Sequence, residues 1–288
     1  MAECLTVTRE IGKFESEREL RRQICKTGRK MYAHGFVVAC EGNLSVRLDR
    51  DRILVTPAGA CKGHLGPEDL LVTDLSGVVL CGTRRPSTEM LMHLLYYRLR
   101  PDVQAVCHAH PPIATGFASA GRALEEAVLP EVIVGLGKIP LAPYGTPGTW
   151  ELCAGLEPLA TEFDAILLEN HGVVTCGRDL TTAYQRMETV ERFATILLTA
   201  ESLGGPRLLP HAEVQKLIAA RPRYAVSSLE GTVEAPLTSG TVVDRADRNP
   251  SCFLKAPPRG RAALRKLQDT SAQETIRLSL DHPRQFGS

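Results

Sequence analysis

Three histidines and one glutamate have the residue types and spacing for metal chemistry. His108 and His110 stand two apart in Val106-Cys107-His108-Ala109-His110, behind the small or apolar run Gln104-Ala105-Val106-Cys107 and just ahead of Pro111-Pro112. In a strand, side chains two apart project from one face, so both imidazoles aim at one point where the strand ends. Imidazole is the commonest protein metal ligand, and two on one face make half of a tetrahedral site. His171 leaves a second apolar run, Ala165-Ile166-Leu167-Leu168, at Glu169-Asn170-His171-Gly172, the same strand-end placement as His110. Glu89 opens a helix after Pro86-Ser87-Thr88. Taken singly, each has an ordinary reading: His-x-His as polar surface, Ser87-Thr88 as N-caps, Glu89 as a first-turn acid. Three imidazoles and one carboxylate together suit a zinc-type site in which substrate takes or displaces one position. His93, one helical turn after Glu89, is a rival ligand, whereas His34, His64, His211 and His282 have no such strand-end setting. Cys107 points to the opposite strand face from His108 and reads as an inert structural thiol.

The elements that must position these residues follow from periodicity. Glu15 to His34 has helical spacing, with Gly35 as its stop. Gly42 to Leu48 and Arg52 to Thr56 alternate as a hairpin, Leu71 to Asp74 and Val78 to Cys81 as a second around Ser76-Gly77. A helix from Pro86 ends at Arg100-Pro101, and another runs from Ile113 to Ala120. Val132-Ile133-Val134 and Lys138 to Leu141 are expected as short strands before the loop Pro143 to Thr149. Asp179 caps a long helix through Ala200, stopped by Gly204-Gly205. Two glycine corners, Glu41-Gly42-Asn43 and Thr56-Pro57-Ala58-Gly59, and the helix start at Ser87-Thr88 could each receive an anion, although plain hairpin corners are the preferred reading of the first two alone, and plain capping accounts for the third.

Composition bounds the remaining readings. At 288 residues with 43% hydrophobic and 23% charged residues, the chain has ordinary globular composition and can bury a substantial core. With 34 Lys+Arg against 33 Asp+Glu it has no global field for nucleic acid or an anionic membrane. The opening Met1 to Thr8 lacks a signal-peptide pattern, and no apolar run reaches membrane-spanning length. Nine scattered cysteines with no C-x-x-C suit reduced thiols, hence a cytoplasmic setting. Beyond Gly205 the composition shifts. Residues 1–205 are expected to form the catalytic domain, and 206–288 a Pro- and Arg-rich extension, partly disordered. Pro210 to Ala220 is a candidate short helix there, and Arg259, Arg261, Arg265 and Lys266 a solvated basic face.

Six stretches, in order across roughly residues 15 to 205, carry a resemblance. They are Gly42-Asn43-Leu44-Ser45-Val46, Thr56-Pro57-Ala58-Gly59, Pro86-Ser87-Thr88-Glu89, His108-Ala109-His110, Ala142 to Thr149 and Glu169-Asn170-His171-Gly172. Together they resemble the class II aldolase/adducin family, typified by L-fuculose-phosphate aldolases. The resemblance implies an α/β fold with three α/β/α layers on a mostly antiparallel central sheet, in a homotetramer with sites near subunit interfaces. It implies a Zn2+ site, with Mn2+ or Co2+ as alternatives, held by His108, His110, His171 and Glu89. Glu89 would also be the acid/base group, and His93 structural. Gly42, Asn43, Ala58, Gly59, Ser87 and Thr88 fall where the family holds substrate phosphate. The implied activity is retro-aldol cleavage of a small ketose phosphate, such as L-fuculose 1-phosphate, through a metal-stabilised enediolate. Epimerisation, dehydration or decarboxylation of a sugar phosphate on the same site is the alternative, and a non-enzymatic adducin-like module ranks below, because all four ligands are kept. Two departures bear on the substrate. Val128 to Val134 contains no tyrosine where the aldolase has one serving the departing aldehyde, with Glu131 a possible substitute, and Ala58 stands in place of a phosphate-binding threonine.

Overall fold

A computed structural model describes residues 16–224. The readings made for Met1 to Thr8, for His282, for the basic cluster at Arg259 to Lys266 and for the extension beyond residue 224 lie outside the described residues. The chain enters through α1 (Glu17–Ala33), whose first turn is capped by Ser16 Oγ accepting from Glu19 N. The hairpins follow as β1 (Asn43–Arg47) with β2 (Arg52–Val55), and β3 (Leu71–Asp74) with β4 (Val79–Cys81). Then come α2 (Met90–Leu99), β5 (Ala105–Ala109), α3 (Pro112–Ser119), α4 (Pro130–Gly135), β6 (Leu141–Ala142) and α5 (Trp150–Ala160). The chain continues through β7 (Ala165–Leu168), β8 (Gly172–Gly177), α6 (Leu180–Ser202) and α7 (His211–Tyr224). No helix among the described residues is long and apolar enough to cross a membrane.

The eight strands among the described residues join one sheet in the order β4-β3-β2-β1-β5-β8-β7-β6. Each neighbouring pair is antiparallel except β6 with β7. Both faces are covered, so the central strands are apolar throughout and split their side chains by alternation. Ala105, Cys107 and Ala109 of β5 pack with α1, α3 and α6, while Val106 packs on the other face with α2 and α5. The result is the expected α/β/α three-layer arrangement on a mostly antiparallel sheet. Cys107 lies on the face opposite His108, as anticipated, with its Sγ 3.8 Å from Met31 Sδ.

Two local readings change. Val132-Ile133-Val134 is not a strand but the middle of helix α4, because Pro130 at the first helical position presets φ and spends no needed N–H. Three β-branched residues there bury Val132 and Ile133 instead of joining a ladder. Of Lys138 to Leu141, Leu141 pairs as a strand, and Ile139 makes an isolated bridge to Leu124. Past Gly205, α7 packs on α4: Val214 is buried, Leu209 N donates to Ala127 O, and Arg221 donates to Ile133 O.

Candidate metal centre

Backbone register brings the ligand candidates together. Asn43 of β1 lies opposite His108 of β5, and His108 lies opposite Val174 of β8, so three strands meet at one sheet end. His110 continues past β5, where its N–H is held by Phe36 O at 2.9 Å. His171 sits in the tight turn joining β7 to β8, closed by His171 N to Leu168 O at 3.0 Å. Asn170 there has φ +53°, a left-handed conformation that asparagine tolerates. Two glycines allow the strands to come so close. At Gly42, φ is +65° and an added Cβ would meet His108 O at 2.7 Å; at Gly172 it would meet His110 Cδ2 at 2.5 Å.

One ring nitrogen from each of His108, His110 and His171 falls within 4.8 Å of the others. His108 Nδ1 is 2.9 Å from Val173 O, which can only accept, so Nδ1 carries the proton and Nε2 presents a lone pair to the site. His110 Nδ1 lies 3.6 Å from Glu41 Oε2, and its Nε2 is 3.2 Å from His108 Nε2. Glu89 closes the cluster, with Oε1 2.8 Å from His171 Nε2 and Oε2 3.5 Å from His108 Nε2. His171 Nδ1 is buried with no hydrogen-bond partner.

This donor set fits a cation. The lone pair on His108 Nε2 faces the Glu89 carboxylate and His110 Nε2, an arrangement of converging acceptors that a proton or a metal ion must reconcile. Two nitrogens on one tetrahedral zinc stand about 3.3 Å apart, given Zn–N bonds of about 2.0–2.1 Å. The separation of 3.2 Å between His108 and His110 matches. Burial pushes His108 down to about 3 against the pull of Glu89, so the ring is neutral and able to ligate. His110 is lowered too, by burial first and then by His171. Burial works against the charge on Glu89, but hydrogen bonds from His171 and the Asn43 amide outweigh it and hold the carboxyl below its usual range.

His93 does not join the triad, since Ser45 and Asn43 engage both of its nitrogens. The anion corners do meet. Pro57 bridges Pro86, and Ala58 N donates to Arg85 O at 2.8 Å, setting Ala58-Gly59 beside Ser87-Thr88. Ala58, Gly59 and Thr88 are exposed and Ser87 is half-buried. Asn43 is committed differently. Its Nδ2 donates to Glu89 Oε2 at 2.7 Å and approaches Ser87 Oγ at 3.4 Å, while its Oδ1 faces His93. Glu131 is exposed in the first turn of α4. The sequence places Glu41 in a glycine corner but gives no sign of its contact with His110, which has no spacing signature. Nor does it single out Lys62, which is 1% exposed with Nζ on the carbonyls of Ala60 and Cys40. Burial lowers its pKa, opposed by nearby Cys40, Cys61 and Glu89. A lone lysine in a Gly-rich loop gives no warning of burial.

Comparison with known proteins agrees with this geometry. The family described as Class II Aldolase and Adducin N-terminal domain matches residues 22–198. A 3-oxo-tetronate 4-phosphate decarboxylase of Pectobacterium atrosepticum is 36% identical over 188 residues, 64% of this chain and 86% of that one. A 5-deoxy-D-ribulose 1-phosphate aldolase of Bacillus thuringiensis serovar kurstaki is 34% identical over 198 residues, 68% of this chain and 92% of its own. Among solved structures, an L-fuculose 1-phosphate aldolase superposes with a TM-score of 0.66 at 31% identity, covering 72% of this chain and 98% of that chain.

Proposed function

Since the chain belongs to the class II aldolase/adducin family, we propose that it is a zinc-dependent lyase that breaks the carbon–carbon bond between the α and β carbons of a carbonyl-bearing small sugar phosphate. The observation that carries this reading is the convergence of His108, His110, His171 and Glu89, whose donor types and spacing suit a divalent-cation site. A cation held there would supply Lewis-acid stabilisation for the negative charge that develops on the oxygens flanking the breaking bond. Glu89, ionised and held by Asn43 and His171, is placed to take and return a proton at its carboxylate oxygens. The joined corner of Ala58-Gly59 and Ser87-Thr88 binds the phosphate, which fixes the reacting carbons over the imidazoles. Gly42 and Asn43 shape that corner: Gly42 by its close approach to β5, Asn43 by orienting Glu89 beside Ser87. The enzyme so proposed works in the cytoplasm as a homotetramer, and sedimentation at about four times the chain mass of 31.4 kDa checks the assembly.

Retro-aldol cleavage of a ketose phosphate is the first reading, supported by the aldolase relatives. Decarboxylation of a phosphorylated 3-oxo acid is the second, and a specific observation favours it. Retro-aldol cleavage must remove the proton of the hydroxyl on the departing carbon, and the stretch Val128 to Val134 offers no tyrosine for that task. Loss of CO2 starts from an already ionised carboxylate and needs no such group. The decarboxylase relatives are of similar identity.

Metal analysis and a substrate panel test the proposal. The purified chain is expected to hold about one divalent ion, as a three-imidazole site with a carboxylate does, and His171→Ala to lose most of it. Ketose 1-phosphates should yield dihydroxyacetone phosphate, or 3-oxo-tetronate 4-phosphate should release CO2, and chelation should stop either reaction. Equal metal content in wild type and His171→Ala would remove the site as drawn. Undiminished turnover of the unphosphorylated sugar would remove the phosphate corner.

A further inference from the structure

Between the sheet and α2 runs a line of buried polar side chains, of which the chemistry above uses only Asn43. Asn43, Ser45 and His93 are 5%, 1% and 2% exposed, and Tyr97 3%. Residues 43 and 45 share one face of β1, while 89, 93 and 97 follow one another at four-residue intervals along one side of α2 and its entry. The two rows interlock. Asn43 Nδ2 is 2.7 Å from Glu89 Oε2, and Asn43 Oδ1 contacts His93 Nε2. Ser45 Oγ lies 2.6 Å from His93 Nδ1 and 2.8 Å from Tyr97 OH.

The protons in this line have one consistent arrangement. An ionised Glu89 can only accept, so Asn43 must turn its NH2 to it and its carbonyl oxygen to His93. His93 Nε2 must then carry the ring proton. In a neutral ring Nδ1 is an acceptor, so the Ser45 hydroxyl donates to it, and Ser45 Oγ in turn accepts from Tyr97 OH. Every hydrogen points towards the Glu89 carboxylate. We propose that His93, locked by Ser45 and Tyr97, is a positioning residue that fixes the Asn43 amide with its N–H towards Glu89 and thereby holds the Glu89 carboxylate in register with the three imidazoles.

An asparagine amide does not choose its own orientation. Reversed, it would put its oxygen 2.7 Å from a carboxylate, with neither group able to donate. The His93 N–H excludes that state. Burial supports the arrangement by lowering His93 to about 4, which keeps the ring neutral and Nδ1 free to accept from Ser45. Both ring nitrogens are engaged, which leaves none free to bind a metal.

The inference rests on Glu89 serving the metal centre, so the test separates the two. Zn2+ affinity of the full-length protein is measured by chelator competition for wild type, His93→Leu, His93→Gln, Glu89→Gln and the double variant Glu89→Gln with His93→Leu. His93→Leu should weaken Zn2+ binding by about 10-fold or more, the usual range for a lost partner behind a ligand being about 10–100-fold. His93→Gln, which keeps a donor for Asn43 and an acceptor for Ser45, should recover most of that loss. With Glu89→Gln already present, adding His93→Leu should cost less than about twofold, because a residue acting through Glu89 has nothing left to act on. An equal loss in both backgrounds would show a structural role only and overturn the proposal, as would a His93→Leu protein with undiminished affinity. Should His93→Leu fail to fold, the tautomer in the unaltered protein decides by 15N NMR. His93 is expected neutral with its proton on Nε2, and a proton on Nδ1 would refute the network. A wild-type protein without Zn2+ affinity would sink the metal centre, and the tautomer would still decide the orientation of Asn43.

Discussion

Gly172→Ala tests how tightly the turn after β7 sets the metal centre. A Cβ built there lies 2.5 Å from His110 Cδ2 and 2.6 Å from Ala109 O. Carbon contacts are comfortable at about 3.5 Å, so the methyl must displace its neighbours by roughly 1 Å. Ala109 O belongs to β5 inside the sheet and yields little, which leaves the His110 ring as the group that moves. Overpacking of this kind costs about 1–3 kcal/mol. For a domain of this size that is a fall of roughly 2–12 °C in midpoint, at about 2–4 °C per kcal/mol. Metal ligation tolerates about 0.2 Å, so a shift of roughly 1 Å should cost at least about 100-fold in cation affinity. Gly177→Ala is the control at the far end of the same strand. Its Cβ would meet Ala183 N at 2.7 Å and Thr182 Cβ at 3.0 Å, so it should destabilise comparably and leave cation affinity within about twofold. Thermal melts and chelator competition on both variants decide. Wild-type affinity in a folded Gly172→Ala protein would refute the reasoning, since His110 would then not be held by that contact.

Glu89→Gln keeps the side-chain shape and one oxygen donor but cannot move a proton; it should fold, bind Zn2+ measurably and turn over substrate at least about 100-fold more slowly, and near-normal turnover by the metal-loaded variant would reassign the acid/base role. The thiols of Cys107, Cys153 and Cys176 are pushed by burial to about 12, 11 and 12, above an ordinary value near 9. Their stabilisation is complete below about pH 9 and is lost as pH rises towards the folded-state values, at up to about 4 kcal/mol per pH unit for three such groups. Thermal midpoints from pH 8 to 10.5 should fall accordingly, with Cys153→Ala taking about a third out of the slope; a flat profile would contradict burial of the thiols. We propose that a chain ended after Gly205 retains the metal centre but melts lower than one ended after Tyr224. It loses the burial of Val214 on α4, where a fully buried side chain of this size contributes about 1.5–3 kcal/mol, and equal midpoints would show that α7 adds nothing.

Much of this protein is written locally in its sequence. His-x-His at the end of an apolar run predicts two imidazoles on one side, because strand geometry alone sets that direction, and the apolar runs around Val106 and Ile166 predict buried strands. The six stretches in order indicated the layered fold, and the helix caps and glycine stops of α1 and α6 stand where capping chemistry places them. What required the tertiary structure is whatever depends on which strand lies beside which. Pairing of Asn43 with His108, and the reach of Glu89 to His171, 82 positions further along the chain, come from sheet order and helix docking, which no spacing encodes. The same holds for α4. Val132-Ile133-Val134 has strand composition but folds as a helix, because Pro130 starts one and the turn buries its apolar side. Asn43 shows the division most sharply. Its corner suggested an anion site, but its amide lies between Glu89 and His93, because hydrogen-bond partners are assigned by what packs nearby in space and only secondarily by residue type.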